Sequence, residues 1–253
     1  IDWRILFAVG SLPAFLVLYI RAYVPNAPIS PAPVSNGPRV SVDAVRGILR
    51  HWPLALYAIA FMTGMNFMSH GTQDSYATFL QKQHGFASGT VSALAAIGAV
   101  GAICGGIVFG GISQRFGRRA TICICSLLGV AIVPLWVFSH TIALLACGAF
   151  AMQFAVQGAW GVIPAHLNEL SPANARATFP GFTYQLGNAL AAVAFQLEAL
   201  LAIRFAAPGG APDYGKAMAL VATVTFAAVV VLALLGFAVR PEGRDRALVS
   251  ADV

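Results

Sequence analysis

Charged side chains are scarce in this sequence, where Asp, Glu, Lys and Arg make up 9% of the 253 residues. Soluble globular domains carry about 25% charged residues, because their surfaces must be solvated by water. Hydrophobic residues make up 58% of the chain, and its mean hydropathy is +0.78. These values exclude a soluble globular fold and predict an integral membrane protein, whose architecture the bilayer sets.

The chain also lacks residues arranged for metal binding or catalysis. Its four cysteines lie inside apolar runs without metal-site spacing, so we interpret them as small buried side chains. The sequence contains neither a paired-histidine metal motif nor a glycine-rich phosphate loop. Ser69 and His70 are adjacent, and neighbouring helical residues point about 100° apart, so they do not form a nucleophile–base pair. We therefore expect no cofactor, no bound metal and no enzymatic activity.

Long apolar runs account for most of what is present. Alternation with a period of two is absent, so the runs predict helices, which satisfy every backbone group in lipid. A spanning helix needs about 20 mostly apolar residues. Six runs reach or approach that length, and a seventh covers 214–239. The six are 4–21, 53–80, 88–113, 120–138, 141–165 and 177–204.

The positions of the basic residues predict the orientation of these helices. A linker rich in Pro, Ser and Asn follows the first run. If this linker is cytoplasmic, eleven basic residues fall on the cytoplasmic side and four on the other, as the positive-inside rule requires. The eleven are Arg21, Arg39, Arg46, Arg50, Arg115, Arg118, Arg119, Arg176, Arg240, Arg244 and Arg246. Since they lie between apolar runs, the excess of positive charge reflects membrane topology and not nucleic-acid binding.

The sequence therefore predicts an all-α, multi-pass protein of the cell (inner or plasma) membrane with a cytoplasmic C-terminus. It divides into one extra helix, a cytoplasmic linker, a six-helix bundle and a cytoplasmic tail. The four segments are 1–21, 22–51, 52–240 and 241–253. The chain begins with Ile1 and not with Met, which we interpret as a start inside a longer protein.

Helix 88–113 is rich in small residues, including two Gly-x-x-x-Gly pairs that begin at Gly101 and Gly106. Such faces let the backbones of two helices approach closely. We expect ordinary close packing here. Whether the same face also slides during a conformational change stays open.

A basic segment, GGISQRFGRRAT, follows this helix in a very short connection. It resembles the G-x-x-x-D-R-x-G-R-R loop of the major facilitator superfamily, which occurs after the second helix of each six-helix half. Gln114 stands where the family has Asp. A generic basic turn would need arginines but no particular glycine spacing. The resemblance implies that three arginines hold the inward-facing gate, and these are Arg115, Arg118 and Arg119.

A second segment, PAHLNELSPANARATFPG, agrees with this resemblance. Glu169, Pro172 and Arg176 are similar to the Glu-x-x-Pro-x-x-x-Arg loop of sugar and organic-acid members, which implies charge pairing across the gate. A capped helix–helix turn is the alternative. The first run also looks like the sixth helix of such carriers. The resemblance therefore implies a major facilitator-type six-helix bundle, the C-terminal half of a twelve-helix carrier, with the N-terminal half as its partner.

A polar stripe interrupts the apolar run 53–80. Its members recur at intervals of three or four residues, so they lie along one helical face. A charge near the bilayer centre costs at least about 2.5 kcal/mol, so such groups usually face a water-filled cavity. Lining of a substrate or proton path is favoured over hydrogen bonding between helices, although Asp74 could lie at the interface. The stripe comprises Asn66, Ser69, His70, Gln73, Asp74 and Thr78.

With Thr72, these residues fit the pattern N-x-x-[ST]-H-x-[ST]-Q-D-x-x-x-T. That pattern resembles the signature of the lactate/pyruvate:proton symporters, the Jen-type monocarboxylate permeases of the sialate:proton symporter family. The resemblance implies that the motif recognises a small carboxylate and couples its transport to a proton.

Two later helices carry further amides and aromatic rings that suit a carboxylate or hydroxyl ligand. Hydrogen bonding between helices is the equal alternative for them. We expect Glu198 to reach interfacial water near the outer end of its helix, and not to carry a proton. The residues in question are Gln153, Gln157 and Trp160 on one helix and Tyr184, Gln185 and Asn188 on the other.

The hypothesis that joins these observations is proton-coupled symport with alternating access. His70 is suited to it because histidine changes charge in the physiological range. Protonated His70 would donate to the carboxylate, with Asn66, Ser69 and Gln73 completing the site and Asp74 orienting or sharing the proton. A cationic residue would come from the N-terminal half, without which this chain should not transport. The alternatives are a symporter of sialic acid or another organic acid, and a channel or non-transporting sensor.

Overall fold

The computed structural model describes residues 3–23, 42–172, 175–206 and 208–236. All regular secondary structure in these residues is helical, as the sequence predicts. The helices are α1 (Trp3–Gly10), α2 (Leu12–Tyr23), α3 (Val42–Arg50), α4 (Trp52–Gln73), α5 (Tyr76–Lys82), α6 (Ser88–Phe116), α7 (Arg118–Val137), α8 (Ile142–Trp160), α9 (Ile163–Leu170), α10 (Phe179–Ala191), α11 (Ala194–Arg204) and α12 (Tyr214–Leu235).

The chain divides into two compact units, Ile1–Arg39 and Val40–Val253. In the first unit, the run predicted as one helix over 4–21 is two helices that meet at Ser11. Pro13 lies in the first turn of α2 and has no N–H to donate, which accounts for the break. In the second unit, α3 forms within the predicted linker 22–51. The rest of that linker over 24–41 and the predicted tail 241–253 lie outside the described residues.

Five helical stretches in the described residues are long and apolar enough to cross a membrane. Helix α4 is 22 residues long, the same length as α12, but it is not among the five because its polar residues lower its hydropathy. The five are Ser88–Phe116, Arg118–Val137, Ile142–Leu170, Phe179–Arg204 and Tyr214–Leu235. The chain is thus an all-α, multi-pass membrane protein.

The second unit is a bundle in which α6, α8, α7, α12, α4 and α10 pack one on the next in that order, and α11 packs on α12 and α4. Large side chains fill its centre, and Phe61, Trp136 and Phe226 are almost completely buried. Many other large apolar side chains, such as Ile107 and Leu200, remain exposed, as expected of helices that contact lipid.

Three of the predicted spans in the second unit are also interrupted. The run 53–80 breaks at Asp74 and Ser75, 141–165 at Gly161 and Val162, and 177–204 at Ala192 and Val193. The second break precedes Pro164, which cannot donate a helical hydrogen bond. The broken spans are those that carry the stripe and the later amides, whereas α6, α7 and α12 are each one helix.

The closest helix contact lies between α6 and α8. A β-carbon added to Gly101 or Gly105 would overlap the carbonyl oxygen of Phe150 or Phe154, respectively. These two glycines therefore let the backbones meet, as their spacing predicts. Gly106 is more loosely placed, because its β-carbon would meet only the carbonyl oxygen of Gln157, at 3.8 Å.

We therefore expect Gly105→Ala to lower the free energy of unfolding by about 1–3 kcal/mol, since the added methyl group meets backbone atoms that cannot rotate away. Thermal unfolding of the purified chain in detergent would measure this loss. Gly106→Ala is the matched control, with the same methyl group one residue away and little expected effect. Equal midpoints for the two variants would contradict this account of the α6–α8 contact.

Candidate functional site

His70 lies at the centre of a hydrogen-bonded group that joins two helices. Its Nδ1 is 3.0 Å from Oδ2 of Asp74 on the next turn, and its Nε2 is 3.1 Å from Oδ1 of Asn188 on α10. Asp74 comes directly after α4, where the chain leaves the helix. The side chains of His70 and Asp74 are 35% and 40% exposed, so solvent reaches both.

The two ring nitrogens of His70 both face acceptor oxygens, Oδ2 of Asp74 and Oδ1 of Asn188. Only a doubly protonated imidazolium donates to two acceptors at once. In a neutral ring one nitrogen carries no hydrogen, so Asn188 would have to turn its amide to donate. The hydrogen-bond roles of His70 and Asn188 are therefore linked.

The rest of the predicted stripe does not gather around His70. The amide of buried Asn66 donates to the carbonyl of Met62, at 2.8 Å, and the hydroxyl of Thr72 donates to that of Met68, at 2.9 Å. Both side chains therefore donate their hydrogen bonds to carbonyl oxygens within α4. Ser69 accepts from Nε2 of Gln73 at 2.8 Å, which makes a second polar pair on the same helix. Thr78 is half-buried on α5, beyond the interruption.

A cavity of about 310 Å³ opens beside this helix. Thr72, Gln73 and Tyr76 form one wall, and Gln153 and Gln157 of α8 contribute amides from another. Small residues of α6 leave the space that the cavity occupies. Its size is at the lower end for small-molecule sites, which favours a small ligand. The residues of the His70 group do not line it.

The other amides of the predicted site are placed differently. Gln185 is exposed on α10, while Asn188, one turn later, faces His70. The rings of Trp160 and Tyr184 meet edge to face at 5.8 Å, which brings α8 and α10 together. The indole N–H of Trp160 is buried and has no hydrogen-bond partner among the described residues.

The loop between α6 and α7 is organised by Arg118. Its Nε donates to Oε1 of Glu169 at 3.3 Å, and its other nitrogens donate to Oγ of Ser113 at 2.6 Å and to Oε1 of Gln114 at 3.2 Å. Gln114 therefore supplies an acceptor oxygen where the superfamily pattern has a carboxylate. Arg118 thus links the end of α6 to α9.

The other basic residues of the predicted gate contribute less to this contact. Arg119 is half-buried beside Tyr57, whereas Arg115 and Arg176 are exposed and form no ion pair with a described residue. Buried His166 lies near Arg118 and packs against the ring of Phe61 at a centroid distance of 5.4 Å. Its Nε2 has no partner in the described residues, and the sequence analysis did not single it out.

Glu198 contradicts its predicted placement. Its position near the outer end of a span predicts contact with interfacial water, but its exposure is 0% and neither carboxyl oxygen has a hydrogen-bond partner among the described residues. The prediction was wrong because α11 packs its Glu198 face against α4 and α12. Position along the helix could not reveal which side of α11 is covered.

Comparisons with known proteins fit this architecture. Residues 1–196 match the family model of the Major Facilitator Superfamily. The chain belongs to the major facilitator superfamily. It is 36% identical over 203 residues to a carboxylic acid transporter protein homolog of Saccharomyces cerevisiae, covering 78% of this chain and 33% of the relative.

Two bacterial transporters are also similar to this chain. A probable 4-methylmuconolactone transporter of Cupriavidus pinatubonensis is 29% identical over 192 residues, which cover 75% of this chain and 44% of the relative. The sialic acid transporter NanX of Escherichia coli is 26% identical over 243 residues, which cover 93% of this chain and 56% of the relative. The chain therefore spans between a third and just over half of the length of these relatives.

We expect Arg118 and Glu169 to stabilise the contact between their two segments by about 0.5–1 kcal/mol, the range of partly exposed ion pairs. A double-mutant cycle with Arg118→Ala and Glu169→Ala, followed by thermal unfolding in detergent, isolates this coupling from the other bonds of Arg118. Arg115→Ala with Glu169→Ala is the control cycle and should give no coupling. A coupling energy of zero in the first cycle would show that the Arg118–Glu169 ion pair does not stabilise this contact.

Proposed function

We propose that this chain is the C-terminal half of a proton-coupled symporter that carries small monocarboxylates such as lactate or pyruvate. The observation that carries the proposal is His70, held between Asp74 and Asn188. The pattern from Asn66 to Thr78, which resembles the Jen-type signature of the sialate:proton symporter family, supports it. The name of the yeast relative, a carboxylic acid transporter protein homolog, supports the same class of substrate.

The geometry suggests how such a substrate would bind. A carboxylate is a stronger acceptor than an amide oxygen, because a hydrogen bond between charged groups is about twice as strong as a neutral one. The substrate would therefore displace the Asn188 oxygen from Nε2 of protonated His70, while Asp74 keeps Nδ1 in place. Proton and anion would then occupy the site together, without a large net charge inside the bilayer.

The interrupted helices suggest where the substrate path runs. Secondary transporters place their substrate sites at broken helices near the middle of the membrane, between two repeats that rock against each other. The break after α4 adjoins Asp74, and the amides of Gln73, Gln153 and Gln157 line the neighbouring cavity. We propose that these amides contact the substrate on its path to or from His70.

The remaining parts of the carrier are proposed from topology and from the length of the relatives. An N-terminal half would close the site and supply a cationic residue. Arg118 and Glu169 would then form part of a cytoplasmic gate, with the C-terminus on the same side of the inner or plasma membrane. We propose a transport role and no enzymatic one.

A bulkier organic acid is the second candidate substrate, since one bacterial relative is named a sialic acid transporter. A cavity of about 310 Å³ favours the smaller acids, because it lies at the lower end of the range for ligand sites. A channel or a non-transporting sensor would differ from both kinds of symporter, because neither would show saturable, proton-driven uptake.

The test is uptake of labelled lactate, driven by an inward proton gradient, in proteoliposomes with the full-length carrier, meaning this chain together with its N-terminal half. We expect His70→Ala to slow uptake about tenfold to a hundredfold, because a hydrogen bond to a charged group contributes about 1.5–3 kcal/mol. Asn188→Ala should change the apparent affinity.

His140→Ala is the matched control, because His140 is exposed and makes no hydrogen bond with the described residues. It should transport like the unmodified carrier. If His70→Ala left the rate and its pH dependence unchanged, His70 would have no part in proton coupling. Uptake of sialic acid in place of lactate would favour the bulkier substrate.

A further inference from the structure

A carboxyl group without a hydrogen-bond partner among the described residues lies inside the helical bundle, next to Gly71 of α4. Glu198 on α11 is fully buried, and neither of its oxygens forms a hydrogen bond with a described residue. An ionised carboxylate placed in an apolar interior without compensation is so costly that it takes up a proton instead. Glu198 is therefore neutral in this conformation.

The surroundings of Glu198 offer space but no positive charge. Gly71 of α4 faces it, and a β-carbon added there would lie 3.4 Å from its Oε1 and 2.9 Å from Cγ1 of Val221 on α12. The small size of Gly71 thus leaves room for the carboxyl group. Ser75 is buried beside it with its hydroxyl also unpartnered, although the two groups are near enough to interact.

The charged groups on the helices that pack against α11 also favour the neutral form. Asp74, between α4 and α5, is acidic and supplies no positive charge to pair with Glu198. On α12, Lys216 is already paired with Asp213 at 3.0 Å. Arg204, at the end of α11 itself, is exposed. A structural role would be served better by a leucine of similar size, so a buried carboxyl group in a membrane span indicates function.

We infer that Glu198 carries a proton in the transport cycle, and that α11 must part from α4 for it to be released. When water enters that contact, the O–H bond of the carboxyl group breaks, the proton passes to a water molecule, and the hydrated carboxylate remains. Closing the contact again requires the carboxylate to take up a proton. Proton binding is in this way tied to the conformation of the bundle.

Asp74 connects this proton to the substrate site. It contacts His70, and the next residue, Ser75, is buried beside Glu198. The two protonatable groups, His70 and Glu198, are therefore connected through adjacent residues at the break after α4. This inference rests on the proposed symport, and it adds a second protonation site that does not touch the substrate.

The test compares two modes of transport by the full-length carrier with Glu198→Gln, which imitates the neutral carboxyl group. Exchange of labelled for unlabelled lactate needs no net proton release, so it should proceed at the unmodified rate. Accumulation driven by a proton gradient should be lost. Gln196→Ala, on the exposed side of α11, is the control and should keep both modes. Normal accumulation by Glu198→Gln would overturn the inference.

Infrared spectroscopy of the unmodified protein supplies a second readout, which does not depend on the folding of Glu198→Gln. At neutral pH we expect the C=O band of a protonated carboxyl group, which shifts in Glu198→Asp. Absence of such a band overturns the inference even if Glu198→Gln does not fold. If the unmodified carrier shows no proton-driven uptake while the band is present, the proposed symport fails and the neutral state of Glu198 stands.

Discussion

The hydrocarbon region of a bilayer offers no water to polar groups, so every polar atom of a spanning helix must find its partner within the protein. Most polar side chains of this chain do so locally. Asn66, Thr72 and Thr183 donate to carbonyl oxygens of their own helices, and Tyr57 donates to the carbonyl of Leu232 on α12, at 3.0 Å. Such bonds make a polar residue compatible with the membrane without giving it a further role.

Two residues that depart from this pattern are the ones to which we assign functions. His70 reaches across to α10 for its second partner, and Glu198 has none among the described residues. Both depend on small residues or interruptions that bring other helices near. Gly71 leaves space for Glu198, and Gly187 lets α10 approach α4, the helix that carries His70. The packing between helices therefore also determines the chemistry of the site in this fold.

Much of the architecture follows from composition and periodicity. The helical class, the approximate limits of the spans and the close contact at Gly101 and Gly105 all follow from local rules, because lipid allows few backbone structures and small residues permit close approach. The breaks at 74–75 and 192–193 were not predicted, since neither position has a Pro or Gly to mark it. The selection of His70 and Asp74 as candidates came from their spacing, which needs only the geometry of one helix.

The sequence by itself determined that this is a membrane-embedded helical protein, and it supplied the candidate residues on α4, since both depend on the order of residues along one helix. Only the tertiary structure decided that Asn188 is the second partner of His70, that Asn66 turns back to its own backbone, and that Glu198 is covered by α4 and α12. The reason is physical: hydropathy and spacing describe single helices, whereas burial and pairing depend on which faces of two helices meet.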